Sequence, residues 1–548
     1  MKLNYKNTFL VGLAFFLICV FWQSYDTLVA LTLTNKYGMS QSWSGVIMAL
    51  DNVLALFMLP LFGALSDKAN GRLAQRFGKR TPFILIGTII AIVCFFCLSV
   101  VDTNQAKLMQ DYSNPEIAAT NLWNTNREIN NPYYVKNFDS LSSTEQADRL
   151  DDIPEGFRAS VTVEKGKLQD LYTLDDFNSY MLNDNNNDDK QAKQDYADVV
   201  IPVRNAYAEV ITNENPTNLI VFIIILLFAL FSMATFRSPA VALMPAVTIK
   251  PLRSKANGII NIMGVVGGAI ILLVGMVIGT GKPANALMSY IPMVGITCIV
   301  MLIALIIFMF TVNEPSLVAT MEQDTKRLGL DEEKDMIVDS QGHKKMAKNR
   351  KISFIFLMLS IALWFFGYNA ITSKYAVYAS QVLLVDYNTT LLIAQIAALI
   401  AFLPAGMLAT RIGRKKTIMG GIILLTAAFL TASFLGAGTS VWLMNALFIL
   451  AGVGWASINV NSLPMVVELA TGADVGKYTG YYYTASMAAQ IVTPILSGKL
   501  MDVISMREVL FPYGAIFVAL SFVTMIFVKH GDSNAEQILS QTQQSTEQ

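Results

Sequence analysis

Apolar residues run along this chain in long blocks separated by short polar turns. A bilayer core of about 30 Å takes roughly 20 helical residues. Twelve blocks reach that length, near 9–33, 43–65, 82–101, 218–240, 257–279, 289–312, 353–373, 389–409, 417–436, 441–465, 479–500 and 508–528. Each predicts a membrane-spanning helix, the one open-ended element that satisfies its own backbone polar groups in lipid. The first block reads as a retained span, because its apolar run is too long for a cleaved signal and no small-x-small site precedes WQSYD at 22–26.

Two long polar segments interrupt the blocks. Residues 102–215 are rich in Asp and Asn, with NDNNNDDK at 183–190 as a flexible tract, yet Trp123, Tyr133, Phe157 and Tyr172 could build a small core. Residues 313–351 have mixed charge and helix-forming runs, as a linker between two halves would. The expected organisation is helices one to three in 1–101, an insertion in 102–215, helices four to six in 216–312, the linker in 313–351, helices seven to twelve in 352–528 and a tail in 529–548.

Basic residues orient the chain. With the N-terminus inside, Lys68, Arg72, Arg76, Lys79, Arg80, Lys250, Arg253, Lys255, Arg411, Arg414, Lys415, Lys416 and Lys477 collect on one side. The opposite short loops hold only Lys36, Lys282, Lys374, Lys499 and Arg507. The excess marks the cytoplasmic side, so both termini are expected in the cytoplasm, the linker inside and the insertion outside, in a multi-pass protein of the cell membrane.

Composition agrees: 548 residues are 54% hydrophobic and 15% charged, with formal net charge zero. No basic field points to nucleic acid. Cys19, Cys94, Cys97 and Cys298 fall in apolar blocks, where they pack as small hydrophobes. His343 and His530 lie in polar segments, so no metal site and no cofactor is expected, and carboxylates must do any titrating within the membrane.

An internal repeat then appears. GALSDKANGRLAQRFGKR at 63–80 follows the second block, and GMLATRIGRKK at 406–416 follows the eighth. Arg76-Phe77-Gly78-Lys79-Arg80 aligns with Arg411-Ile412-Gly413-Arg414-Lys415, the mark of duplicated six-helix halves. Gly63, Asp67 and the cluster that follows resemble the loop signature of the major facilitator superfamily, and the likeness spans nearly the whole chain. SDKANGRLAQRFGKRTPF at 66–83, the stretch 236–264 and the stretch 459–490 are similar to bacterial relatives of the sucrose/proton symporters and of the glycoside-pentoside-hexuronide cation symporters. Three departures stand out: a longer spacing from Asp67 to Gly78, Ala246 where such relatives carry Asp, and Thr410 at the acidic place of the second loop.

The resemblance implies an all-α membrane protein of twelve transmembrane helices in two six-helix halves, with an extracytoplasmic insertion. It also implies a gating role for Gly63, Asp67, Arg76, Gly78, Lys79 and Arg80, and for Arg411, Gly413 and Arg414 in the second half. Asp67 and the basic cluster can pair or cap helix ends. Arg237, toward the inner end of span four, can pair with a carboxylate there or snorkel to the interface.

Polar residues also lie deep in the apolar blocks. Asp26 sits roughly 7 Å outward of the centre of span one and Asp51 roughly 6 Å outward in span two, at a rise of about 1.5 Å per residue. A charge there costs roughly 2.5–3.5 kcal/mol or more on insertion, so it is expected to face a wet cavity or a partner. Gln23 is three residues before Asp26; Asn52 follows Asp51, and an amide oxygen beside a carboxylate would also suit sodium. Asn369, Gln395, Asn459, Asn461 and Gln490 can donate to and accept from sugar hydroxyls. Each could instead hold two spans together.

These features point to secondary active transport, by resemblance cation-coupled symport of a sugar or glycoside with a proton, or with sodium, by a monomer whose partners are its small-molecule solute and membrane lipid. Two alternatives remain: efflux of amphipathic compounds, and a sensor that no longer transports. An enzyme is not expected, since no P-loop, nucleophile motif or metal constellation is present.

Overall fold

The structure, a computed structural model, describes residues 4–109, 142–144, 201–249, 252–327, 348–469 and 475–530. Most of the insertion, the linker beyond residue 327 and the tail beyond residue 530 therefore lie outside the described residues, as do the side chains of Thr410, Glu468 and Lys477. No strand occurs among the described residues.

Twelve long helices account for the twelve blocks. The first half holds α1 (Tyr5–Leu31), α2 (Gln41–Asp67), α4 (Thr81–Leu108), α6 (Thr217–Ala246), α7 (Arg253–Ile278) and α8 (Ile291–Thr311). The second holds α10 (Lys348–Tyr378), α11 (Tyr387–Ile412), α12 (Arg414–Ala432), α13 (Val441–Glu468), α14 (Val475–Val503) and α15 (Met506–Ile526). Among the described residues three further helices join them: α3 (Arg72–Phe77) in the first loop, α5 (Ile201–Glu214) at the end of the insertion and α9 (Glu314–Arg327) opening the linker. Eleven of the twelve long helices are long and apolar enough to cross a membrane. The twelfth, α14, fills the matching position in its half with Lys477, Lys499 and Asp502 near its ends.

The sixfold pattern repeats in the packing. Against α1 lie α7 and α8; against α10, the equivalent of α1, lie α14 and α15. Likewise α4 packs on α6 as α12 packs on α13. The halves meet through pairs that the same duplication relates, α2 with α14 and α7 with α11, and through α1 with α10. Apolar side chains cover the outside: Val277, Phe310, Phe434 and Trp442 are more than four-fifths exposed, a surface that suits hydrocarbon and would aggregate in water.

Spans one and seven both end in a turn of π-helix, Thr32–Lys36 and Ala379–Leu383. Such turns are uncommon and concentrate at functional sites. Two cations assigned to outer loops differ from that expectation. Lys374 lies within α10 and Lys36 in the first π-turn, and both are fully buried. Lys36 donates 2.7 Å bonds to both oxygens of Asp102 and a 2.6 Å bond to the Met288 carbonyl, with Tyr290 beneath its ammonium at 3.8 Å. A buried cation persists only with such a partner.

The repeated loops fold alike. Gly78 (φ 101°, ψ 167°) and Gly413 (φ 96°, ψ 151°) both occupy a region closed to other residues without strain. In the first half Arg80 pairs with Asp67 at 2.6 Å, and Lys79 donates to the Asp67 carbonyl at 3.2 Å. Arg76 lies over the Phe77 ring at 5.2 Å, and Gly63 leaves room for Ser238 of α6.

Sequence reading missed the group that completes the latch. Glu314 of α9 is buried, accepts from the Arg80 and Thr81 N–H groups at 3.0 and 2.9 Å and from the Thr81 hydroxyl at 2.8 Å, and faces the Arg80 guanidinium at 3.7 Å. It caps α4 and favours the positive end of that helix. A Cβ on Gly78 would strike its carboxylate. In the second half, where Thr410 replaces the acid, Lys415 instead donates to the carbonyls of Ile526 and Val528 at 2.9 and 2.6 Å, tying the loop to the end of α15. Glu314→Ala would leave buried donors unmatched and is expected to lower the melting temperature in detergent by several degrees, whereas Arg411→Ala, an exposed site, should change it little. Equal melting temperatures for wild type and Glu314→Ala would remove Glu314 from the latch.

Candidate functional site

The site begins on α1, which α2, α6, α7, α8 and α10 enclose. Ser24, Tyr25, Thr27 and Leu28 are buried, yet Asp26 between them is exposed. A solvent-reachable carboxylate on a helix surrounded by protein faces a hollow between the helices, not the lipid around them. Asp51 of α2 is half-buried, accepts a 2.7 Å bond from its neighbour Asn52, and acts electrostatically on Asp26.

Arg237 belongs to this group. Its guanidinium lies 5.3 Å from the centre of the Trp22 ring, a cation–π contact, and its charge reaches both Asp26 and Asp51. Sequence placed it toward the inner end of span four, able to pair or to snorkel; in the fold its charge reaches the carboxylates. With both carboxylates ionised, one guanidinium would leave one negative charge uncompensated.

Gln23 and Gln395 join the halves at the same level, the Gln395 amide donating to the Gln23 oxygen at 2.5 Å. Gly268 of α7 sits over them, its absent side chain leaving both amide oxygens just over 3 Å from where a Cβ would lie. Among buried polar atoms without a partner among the described residues are the Trp22 indole nitrogen, the Tyr25 hydroxyl, the Asn369 amide nitrogen and the Gln395 oxygen. Buried polar atoms are rarely left unmatched in a finished core.

The second half contributes an aromatic wall. Tyr368 of α10 and Trp455 of α13 stack face to face at 3.6 Å with planes 2° apart, and Phe365 meets Trp455 edge-on at 5.5 Å. Asn369 follows Tyr368 directly. Asn459 lies one helical turn beyond Trp455, on the face turned to α10 and α14, because Ser462 on that face bonds the Tyr482 hydroxyl of α14 at 3.1 Å. Asn461 turns elsewhere: it is buried and donates to its own helix at the Ser457 carbonyl, 2.9 Å away. Gln490 is half-buried on α14. The structure thus groups Asp26, Asp51, Asn52 and Arg237, pairs Gln23 with Gln395 across the halves, sets Asn369 and Asn459 beside the aromatic wall, and leaves Asn461 in a helix-internal bond.

Beyond this level, toward the end that the charge bias assigns outside, the halves are shut. Asp502 of α14 accepts from the Gln41 and Ser42 N–H groups at 2.7 and 2.8 Å and from the Ser42 hydroxyl, capping α2. Lys374 of α10 donates to the Gln41 carbonyl at 2.9 Å and to the Ser44 hydroxyl at 3.2 Å. The first turn of α2 is gripped on its N–H groups by an acid and on its carbonyl by a base, both from the other half. Gly45 of α2 permits the approach, since a Cβ there would lie 2.1 Å from the Pro494 carbonyl oxygen. Tyr387 and Asn388 reach Thr280 at 3.1 and 3.2 Å, and Asp386 caps α11 on the Asn388 N–H at 2.8 Å. Burial raises the Asp386 carboxyl above the ordinary carboxylate range, opposed by the bonds from Asn388 and the charge of Lys282. In the sequence Lys374 counted as an outer-loop cation, and Asp502 did not stand out.

The sequence pattern of the MFS_1-like family matches residues 33–509. No curated protein matches the chain. Among solved structures, the inward-open conformation of the xylose transporter XylE from E. coli is similar at TM-score 0.53 and 14% identity, over 97% of this chain and 98% of that one. A D-xylose-proton symporter is similar at TM-score 0.54 and 14% identity, over 96% and 99%. The peptide transporter POT is similar at TM-score 0.54 and 10% identity, over 95% and 93%. At such identities these likenesses speak to fold alone.

Proposed function

The chain belongs to the MFS_1-like family, and on that basis we propose that this transporter is a symporter in which a cation, the proton first, drives uptake of a sugar or glycoside. We place it in the cell membrane as a monomer with both termini in the cytoplasm. The observation that carries this reading is a carboxylate pair sharing one guanidinium, which rests on the Trp22 ring whose indole N–H is unmatched among the described residues. A proton on Asp26 or Asp51 cancels the residual charge beside Arg237. The group can then pass through the closed, dehydrated stage of the cycle without exposing a bare charge to hydrocarbon. Sodium is the second candidate, held by Asp51 with the Asn52 amide oxygen.

Solute recognition needs both a flat apolar face and directed hydrogen bonds. The Tyr368–Trp455 stack supports the first, and Gln23, Asn369, Gln395, Asn459 and the Trp22 indole support the second. Two of the fold neighbours are a xylose transporter and a D-xylose-proton symporter. The breadth of the aromatic wall also favours a second reading, a carrier of planar amphipathic compounds.

Uptake into proteoliposomes decides among these. Mono- and disaccharides and an amphipathic dye are offered under a proton gradient and, separately, a sodium gradient. Accumulation of a saccharide driven by the proton gradient is expected. Movement of the dye alone, or of nothing, would overturn the sugar reading. Gln395→Ala breaks the bridge to Gln23 and is expected to raise the KM for the transported saccharide roughly tenfold, the loss of one to two hydrogen bonds. An unchanged KM would take Gln395 out of the binding set.

A further inference from the structure

The sequence reads residues 102–215 as an insertion on the outer side. The described end of that segment does more. α5 is built into the bundle: Thr212 accepts a 3.1 Å bond from the Gln105 amide of α4, which also donates at 3.1 Å to the Lys36 carbonyl. Gly38, at φ 64°, lets the turn after span one run directly under α5, since a Cβ there would lie 2.3 Å from the Glu209 nitrogen.

At the other end of α5 Arg204 is 2% exposed, and among the described residues no carboxylate lies within ion-pair distance of it. Its guanidinium donates to the Asn35 side-chain oxygen at 3.1 Å. That same oxygen accepts a 2.7 Å bond from the Gln381 amide. Asn35 stands on the π-turn ending span one, Gln381 on the matching π-turn ending span seven. A single amide oxygen therefore ties the insertion, the first half and the second half at the outer seam, in line with the Lys374 and Asp502 grip. The Asn35 amide nitrogen and the Arg204 Nε have no partner among the described residues, so the oxygen alone carries the junction.

We propose that Arg204 is a positioning residue of the outer gate: from the insertion, it fixes the Asn35 side chain so that its oxygen meets Gln381, and thereby sets how readily the outer side opens. The reasoning is chemical. A free Asn amide can turn its oxygen away from the seam, but a buried guanidinium offers only donors, so it holds the oxygen rather than the NH2 group at that place. Gln381 then finds an acceptor already oriented. When the halves part outside, Gln381 leaves and Arg204 keeps Asn35 in place for reclosure. The inference rests on alternating access but not on the identity of solute or ion.

The test uses full-length protein in nanodiscs, with the native cysteines replaced and nitroxide labels at Trp43→Cys and Ile504→Cys, exposed positions at the outer ends of α2 and α14. Pulsed electron resonance reads the distance between them. Arg204→Met and Gln381→Leu are each expected to raise the outer-open fraction roughly threefold to tenfold, the worth of one hydrogen bond. Their combination should do no more than either alone, and Arg204→Gln, which keeps a donor, should restore most of the closed population. Thr212→Val loosens α5 without touching Asn35 and should leave the distance unchanged. An unchanged distance in Gln381→Leu, additive effects in the double variant, or a shift in Thr212→Val equal to that in Arg204→Met would overturn the proposal.

Discussion

Asp26→Asn is expected to reduce gradient-driven accumulation of solute to passive equilibration while exchange and downhill flux continue. The substitution keeps the shape and one oxygen of the side chain but removes the titratable charge. Asp51 is then the one carboxylate left to face Arg237, and the group no longer carries a second acid that a cation must neutralise. Hydrogen bonding to solute persists, so the halves can still exchange places around it. Counterflow and uphill uptake measured on the same proteoliposomes separate the two activities. Full accumulation by Asp26→Asn would refute the coupling role, and loss of counterflow as well would make Asp26 a binding residue instead.

Gly45→Leu is expected to abolish net transport by holding the outer side open. The seam between α2 and α14 closes backbone against backbone, with no space for a Cβ beside the Pro494 carbonyl, and Gly498 meets the Gln41 carbonyl in the same way. Overpacking costs about 1–3 kcal/mol where neighbours can yield, and backbone yields least. At about 1.4 kcal/mol per factor of ten, the upper figure is roughly a hundredfold shift away from the closed seam. The strain vanishes when the halves separate outside, so the variant should still fold and reach the membrane. A membrane-impermeant thiol reagent should label a cysteine placed at Ser44, buried here under Lys374, in Gly45→Leu and not in the parent. Wild-type transport by Gly45→Leu would show that the seam never closes as described.

The membrane architecture was legible because lipid leaves so little choice: twenty apolar residues in a row have one good conformation, and α1, α2 and their fellows follow the blocks. The duplicated loop was legible too, because the backbone at Gly78 and Gly413 admits little besides glycine, and such constraints survive in a sequence as fixed letters. Partners far apart along the chain were not. Glu314 meets Arg80 across 234 positions, and Arg204 meets Asn35 across 169. No periodicity announces either contact. Lys374 read as a loop cation because it follows an apolar block, where a snorkelling lysine and a buried one look the same. Asn459 and Asn461 illustrate the remaining limit: two residues apart on a helix they point about 200° from one another, and which of them faces the interior depends on neighbours that only the fold supplies.

The charges within the membrane look into an aqueous hollow shared by the two halves. Its most direct measurement is the reactivity of Asp26→Cys, in a background lacking the four native cysteines, toward a charged thiol reagent applied to either side of sealed, oriented vesicles. Modification from the inner side, slowed when solute is present, is expected. A cysteine inert to the charged reagent from both sides, yet labelled by a lipid-soluble one, would place residue 26 against the bilayer and contradict it.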